Sequence, residues 1–173
     1  MTTWSSIRHK LETDYLAQAL RGHIQYFATS YSRCPDHEGR ASIRLDGQEI
    51  LSGGYYNQWV KAALYPLDEK YEQRLHSEHP FLDEVALDLG CFDQRCFYSA
   101  FAIFDNQSIE KSLQSDNLLV RIFALLDRRV GKRRLLALKN HMAAEPSIIQ
   151  LFYAIRINAE NQNGRRILIE PAQ

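Results

Sequence analysis

The stretch Arg40-Ala-Ser-Ile-Arg-Leu-Asp-Gly-Gln-Glu-Ile50 decides the fold of the N-terminal half. Its first residues alternate between polar and apolar side chains, which is the two-residue period of a half-buried strand. Asp46-Gly47 then predicts a two-residue hairpin turn of type I′, because that turn needs positive φ at both central positions. The register of such a hairpin predicts two cross-strand pairs, Arg44 with Glu49 and Ile43 with Ile50.

A helix and a strand are predicted before this hairpin, and a helix after it. Apolar residues recur every three or four positions from Trp4 to Leu20, which predicts a helix. The β-branched and aromatic residues between 23 and 32 predict a first strand. Gly53-Gly54 ends the third strand, and a second helix is predicted from about Tyr55.

Beyond His79-Pro80 the sequence predicts only short helices and a short apolar tail at 167–169. Caps and helix breakers separate predicted helices near 81–89, 93–104, 107–115, 117–130, 132–144 and 147–161. We therefore predict an α+β fold with an N-terminal helix, a three-stranded antiparallel sheet and a helix in residues 1–79. A C-terminal bundle of short helices follows in residues 80–173, and the two lobes share one core.

The composition limits the classes of function. The chain has 173 residues, 45% of them hydrophobic, with 21 basic and 21 acidic residues, which is typical of a globular protein. A formal net charge of zero argues against general nucleic-acid or membrane binding, since both depend on a global basic excess. The sequence has neither a secretory signal nor an apolar run near the ~20 residues that span a bilayer. We therefore expect a cytoplasmic protein that does not bind membranes.

The charges are nevertheless segregated along the chain. Residues 67–93 carry eight acids and two bases, a net charge of −6, whereas residues 117–144 carry seven bases and one acid, a net charge of +6. The simplest interpretation is that these two segments attract each other within the fold.

The basic charge is concentrated in Leu126-Asp-Arg-Arg-Val-Gly-Lys-Arg-Arg-Leu135, at a predicted helix–Gly–helix junction. Cations are favoured in the last turn of a helix but disfavoured in the first turn of the next one, so the second group needs compensation. Asp127 is one candidate, through a bidentate bridge to Arg133 or Arg134, and the acidic segment 67–93 is a second. The third is an acidic ligand or partner, and we predict that its site consists of Arg128, Arg129, Lys132, Arg133 and Arg134.

Two segments resemble known modules. Residues 4–64 have the element order of a double-stranded RNA-binding domain, but such domains bind phosphates with lysines at the start of the second helix, where this chain has Tyr55-Tyr-Asn-Gln58. The stretch Asp116-Asn-Leu-Leu-Val-Arg-Ile-Phe-Ala-Leu-Leu126 resembles the second helix of a HEAT-type repeat. That resemblance implies that Arg121 belongs to the scaffold and is paired with Asp116.

The chain as a whole is similar to a family of small uncharacterised bacterial proteins. The shared elements are Trp4, Gly39-Arg40, residues 46–50, residues 115–117 and the Leu-Asp-Arg-Arg-x-Gly-Lys-Arg motif from Leu126. The resemblance covers nearly the full length and implies a single-domain cytosolic protein. It brings no activity, cofactor or catalytic residue with it.

Metal binding and catalysis find little support in the sequence. Cys34 and His37 could join Cys91 and Cys96 in a zinc site, but the second pair has loose spacing and lies among aromatic residues, where free cysteines usually pack as small apolar side chains. We therefore predict no metal and no cofactor. A nucleophile elbow, a P-loop, a dinucleotide fingerprint and a His-Glu-x-x-His helix are all missing, so no catalytic residue is assigned.

These features favour a binding protein over an enzyme. We expect the partner to be another protein, recognised through complementary charged surfaces. An immunity or antitoxin role against a bacterial toxin would suit the size, the neutral charge and the missing catalytic motifs. The alternative is binding of a nucleic acid or a phosphate ligand by the basic junction at 128–134, which a steep dependence of affinity on salt would reveal.

Overall fold

The computed structural model describes residues 3–33, 39–54, 87–88, 90 and 92–162. Within them, an N-terminal helix leads into a three-stranded antiparallel sheet and then into a set of helices, which confirms the predicted α+β class. The predicted helices at 55–77 and 81–89 and the apolar tail at 167–169 lie wholly or largely outside the described residues. The division into lobes at residue 79 stays a prediction.

The N-terminal helix is shorter than its apolar period predicts. Helix α1 spans Trp4–His9 and is followed by a π-helical segment, Lys10–Tyr15, and by a single 3-10 turn, Gln18–Leu20. Between them, Leu16 has an extended backbone and forms a β-bridge with Asp127. A tertiary backbone contact therefore interrupts the helix, and the prediction of one continuous helix to Leu20 is wrong.

The hairpin turn forms as predicted, but the register changes within the ladder. Strands β1 (Ile24–Ser30), β2 (Gly39–Leu45) and β3 (Gln48–Gly54) lie in the order β1-β2-β3. Asp46 and Gly47 have φ of 50° and 83°, and Arg44 lies opposite Glu49, with 3.0 Å between Nη2 and Oε1. A bulge then places Ile43 opposite Leu51 and not Ile50. It buries Ile43 and Leu51 and leaves Ile50 half-buried, so the predicted apolar pair is wrong.

The sheet packs against helix α2 (Gln94–Asp105). Asp93 caps this helix, because its Oδ1 accepts hydrogen bonds from the backbone N–H of Arg95 and of Cys96. The ring of Phe92, just before α2, lies so close to β3 that the strand needs a glycine there: a Cβ at Gly53 would lie 2.5 Å from that ring.

Helix α4 (Leu118–Leu126) packs against α2, α3 (Ile109–Leu113) and α6 (Ser147–Gln162), and its eight residues other than Arg121 are all buried. Phe123 of α4 contacts the rings of Tyr26, Phe97 and Phe104 edge to face, so this helix joins the sheet to α2. Of the helices that the structure describes, none is both long and apolar enough to cross a membrane. Their bounds are α3 Ile109–Leu113, α4 Leu118–Leu126, α5 Lys132–Leu138, a 3-10 segment Lys139–Ala144 and α6 Ser147–Gln162.

Replacing Gly47 with Ala should lower the free energy of unfolding by about 1–2 kcal/mol, because a Cβ at positive φ clashes with the adjacent carbonyl oxygen. Gly54→Ala is the matched control: its Cβ would meet only Arg40 Cγ at 3.9 Å, and no positive φ is required there. Urea denaturation of both variants checks the turn. Equal stability losses at the two positions would contradict it.

Candidate binding surface at the basic turn

The basic turn, residues 127–131, starts where α4 ends. Asp127 has an extended backbone at the end of α4, so the helix ends four residues before the predicted residue 130. Two backbone hydrogen bonds fix this point: Ala17 N–H donates to Leu126 O at 2.9 Å, and Arg128 N–H donates to Tyr15 O at 2.7 Å. The same bridge that interrupts the first helix therefore also ends α4.

The carboxylate of Asp127 is fully buried and is bound by Arg129. Its Oδ1 accepts from Arg129 N–H at 2.6 Å, and its Oδ2 accepts from Nε at 2.9 Å and from Nη2 at 2.7 Å. These hydrogen bonds raise the pKa of Arg129 above its usual value. The predicted bridge from Asp127 to Arg133 or Arg134 is wrong, because the Asp127 carboxylate binds Arg129, which lies only two residues further along the turn.

Two aromatic rings hold the guanidinium of Arg129 from the other side. Its Cζ lies 4.9 Å from the ring centroid of Tyr15 and 5.3 Å from that of Phe104, within the range of cation–π attraction. Tyr15 is itself fixed by a 2.5 Å hydrogen bond to Asp105, which also pairs with Lys10 at 2.9 Å. Arg129 is thus a positioned side chain at the base of the surface.

Arg156 of α6 donates hydrogen bonds to carbonyl groups of the basic turn. This role was not predicted from the sequence. Its side chain is buried, and its Nη1 donates to Asp127 O at 3.1 Å and to Leu125 O at 3.5 Å. Its Nη2 donates to Val130 O at 2.9 Å. One guanidinium therefore binds three carbonyl groups at the end of α4 and in the turn, where a helix leaves such groups without partners. Asp127 O also accepts from the backbone N–H of Val130 at 3.1 Å.

Glu160 neutralises this buried cation, with 3.0 Å between Oε1 and Nη2 of Arg156. Burial lowers the pKa of Arg156, and Glu160 opposes that effect. The only sequence signal for this role is an Arg–Glu pair at i and i+4 next to Ile155 on the apolar face of α6. That pattern is common on exposed helices, so the sequence alone did not single it out.

Arg121 also has a structural partner, but not the predicted one. It pairs with Glu145 at 2.6 Å, a residue just before α6, instead of with Asp116. The pairing of Arg121 with Asp116 that the HEAT-type resemblance implies is therefore wrong. The pair joins α4 to the short segment between the 3-10 segment Lys139–Ala144 and α6. Arg121 therefore has a structural role, as expected.

The remaining cations of the predicted site point outward. Arg128, Lys132 and Arg133 are exposed, and within the described part of the chain none of their side chains forms an ion pair. Arg134 is half-buried: its Nη2 pairs with Glu110 at 2.6 Å, and its Nη1 donates to Arg129 O at 3.3 Å. Two of the five predicted residues, Arg129 and Arg134, are thus held by acids, and the Arg129 side chain is itself 37% exposed. The other three form no ion pair among the described residues.

An open cavity of about 450 Å³ lies between the turn and α5. We call it the arginine pocket, and its lining residues are Arg129, Gly131, Arg133, Arg134 and Ala137. Leu136 follows on the same helix and is 63% exposed, the largest exposed fraction among the large apolar side chains of the described residues. The surface therefore combines guanidinium groups with an apolar side chain.

The cysteine site considered in the sequence analysis can be tested only at Cys96. Its thiol is buried next to Asp93, 3.5 Å from Oδ1, and burial raises its pKa to about 12. A thiol with this pKa carries almost no thiolate at neutral pH, so it is a poor metal ligand and a poor nucleophile. Cys34, His37 and Cys91 lie outside the described residues, and among the described ones no three His, Cys, Asp or Glu side chains are grouped to hold a metal.

Comparison with protein families assigns the chain to one family. It belongs to the SF0329 protein family, whose model matches residues 3–157 and thus spans the basic turn, the arginine pocket and Arg156. No curated protein and no solved structure matches the chain. The likeness to a double-stranded RNA-binding domain accordingly stays a prediction.

Replacing Arg156 with Met should lower the free energy of unfolding by about 3–5 kcal/mol, because it leaves Glu160 and the carbonyl groups of Leu125 and Val130 without their donor. Arg8→Met is the matched control, since Arg8 and Glu12 form the same i, i+4 pair with the Arg8 side chain 55% exposed. That change should cost less than about 0.5 kcal/mol. Urea denaturation measures both, and an equally small loss at Arg156 would contradict its role.

Proposed function

We propose that this protein binds an acidic surface of a partner protein through the basic turn and the outer face of α5. The observation that carries the proposal is the arginine pocket beside three exposed cations, Arg128, Lys132 and Arg133. From 127 to 134 the chain has five bases and one acid, and Glu110 offsets one more charge, which leaves +3 (5 − 1 − 1). A local excess of this kind attracts and orients an acidic partner even when the whole protein is neutral.

Leu136 favours a protein partner over a nucleic acid. A solvent-exposed leucine at the edge of a basic pocket gains nothing from a phosphate backbone, which is bound mainly through charge. Protein interfaces, in contrast, combine arginines with a buried apolar centre. Ala137, the next residue of α5, is also exposed and lines the arginine pocket. An immunity or antitoxin role is the finer form of this proposal, since neutralising a toxin requires only a complementary surface.

The proposal predicts that a partner is captured from the native host by the wild-type chain and is lost when the surface is changed. In Lys132→Gln/Leu136→Ser the recovered amount, measured by cross-linking and mass spectrometry, should fall at least tenfold, about the effect of losing ~1.4 kcal/mol of affinity. The matched control is Arg8→Gln/Ile103→Ser, which removes an exposed cation and a 39% exposed apolar side chain from other helices. It should retain the partner.

A second measurement distinguishes a specific protein partner from other captured material. The purified partner should bind the purified chain, with an affinity that falls only moderately as salt is raised. Recovery of nucleic acid in place of a protein, with a steep linear dependence of log affinity on log salt, would contradict the proposal and favour phosphate-backbone binding. Equal capture by the two double variants would also contradict it.

A further inference from the structure

We propose that the arginine pocket binds a phosphate monoester, and that this group is the acidic feature by which the partner is recognised. The inference deepens the proposed function and rests on it where the phosphate is carried by a protein side chain. The shared chemistry is a phosphate dianion with an organic substituent. Its two possible sources are a phosphorylated side chain and a small phosphorylated ligand.

Two of the arginines that line the pocket, Arg129 and Arg134, are held in position by contacts within the chain. A guanidinium has five N–H donors, and Arg129 uses its Nε and Nη2 on Asp127, which leaves Nη1 available. Arg134 is held by Glu110 and by the carbonyl group of Arg129, so the two arginines are connected to each other. Pre-positioned donors lose little conformational entropy when an anion binds.

The third arginine of the pocket, Arg133, is exposed and forms no ion pair among the residues that the structure describes. None of those residues accepts a hydrogen bond from its side chain, so its donors are available for a ligand. Three guanidinium groups around one cavity match the three terminal oxygens of a phosphate monoester, whereas a carboxylate offers only two oxygens. Arginine clusters are a recurrent means of recognising phosphorylated groups, because planar guanidinium groups can form paired hydrogen bonds with phosphate oxygens.

The charge of the site and the space in it agree with this ligand. Arg129, Arg133 and Arg134 against Asp127 and Glu110 leave +1, and the adjacent Arg128 and Lys132 raise the total to +3. A phosphate monoester carries about −1.5 to −2 at neutral pH. The cavity of about 450 Å³ leaves room for the group that carries the phosphate. Gly131 keeps one side open, since a Cβ there would have no neighbour within 4 Å.

The test is a titration of the purified full-length chain with four probes: inorganic phosphate, phosphotyrosine, AMP and glutarate. Binding is followed by the arginine side-chain signals in ¹⁵N NMR spectra. Phosphotyrosine or AMP should bind more tightly than glutarate and should shift the Nε signals of Arg129, Arg133 and Arg134. In Arg133→Gln the affinity should fall at least tenfold, equivalent to the loss of a charge-assisted pair of about 1.4 kcal/mol.

Lys139→Gln is the matched control, because it removes one exposed cation just beyond α5 without touching the lining of the pocket. It should weaken binding less than about threefold, as expected for a screened charge at a distance. Tighter binding of phosphotyrosine than of AMP assigns the source to a protein side chain, and the reverse order assigns it to a small ligand. Both results support the site.

Three results would overturn the inference: no binding of either phosphate monoester, equal losses in Arg133→Gln and Lys139→Gln, or glutarate binding as tightly as phosphotyrosine. Its failure is distinguishable from failure of the proposed function. A protein captured through Lys132 and Leu136 together with no phosphate binding removes only the ligand assignment. Phosphate binding with no captured protein removes only the protein partner.

Discussion

The guanidinium of Arg156 is the interaction on which the rest of this surface depends. It reaches from α6 to carbonyl groups in α4 and in the basic turn. Of these, only Asp127 O has a further donor among the described residues, the backbone N–H of Val130. An arginine suits this task because its planar head can serve several acceptors at once. Glu160 and the carboxylate of Asp127 lie on the same network, so the buried cation has nearby negative charge. A fixed turn is the result.

A fixed turn determines which basic residues are used by the fold and which remain for a partner. Asp127 forms an ion pair with Arg129 within the turn, and Glu110 forms one with Arg134. Arg128, Lys132 and Arg133 are exposed and form no ion pair among the described residues. Within those residues, the unfavourable position of cations at the start of α5 is compensated only at Arg134. The acidic segment 67–93, predicted to attract these cations, lies largely outside the described residues. That incomplete compensation is the physical basis for proposing an acidic partner.

The parts of the fold that could be predicted are those set by local sequence. Asp46-Gly47 determines its own turn because few other residues adopt two consecutive positive φ angles, and the exposed Lys132 and Arg133 follow from their place at a helix start. The bulge next to Ile43, the end of α4 at Leu126 and the partner of Asp127 depend on contacts between distant segments. Arg156 could not be assigned, because its acceptors are backbone carbonyl groups 26 to 31 residues away.

The rotation of the Arg156 guanidinium tests the central claim most directly. A guanidinium that is hydrogen-bonded through both Nη atoms cannot rotate freely about its Nε–Cζ bond, so ¹⁵N NMR of the free protein at neutral pH should resolve two separate Nη signals for Arg156. The exposed Arg8 should give one averaged signal under the same conditions. A single averaged signal for Arg156 would contradict the account, since a freely rotating side chain cannot hold the basic turn.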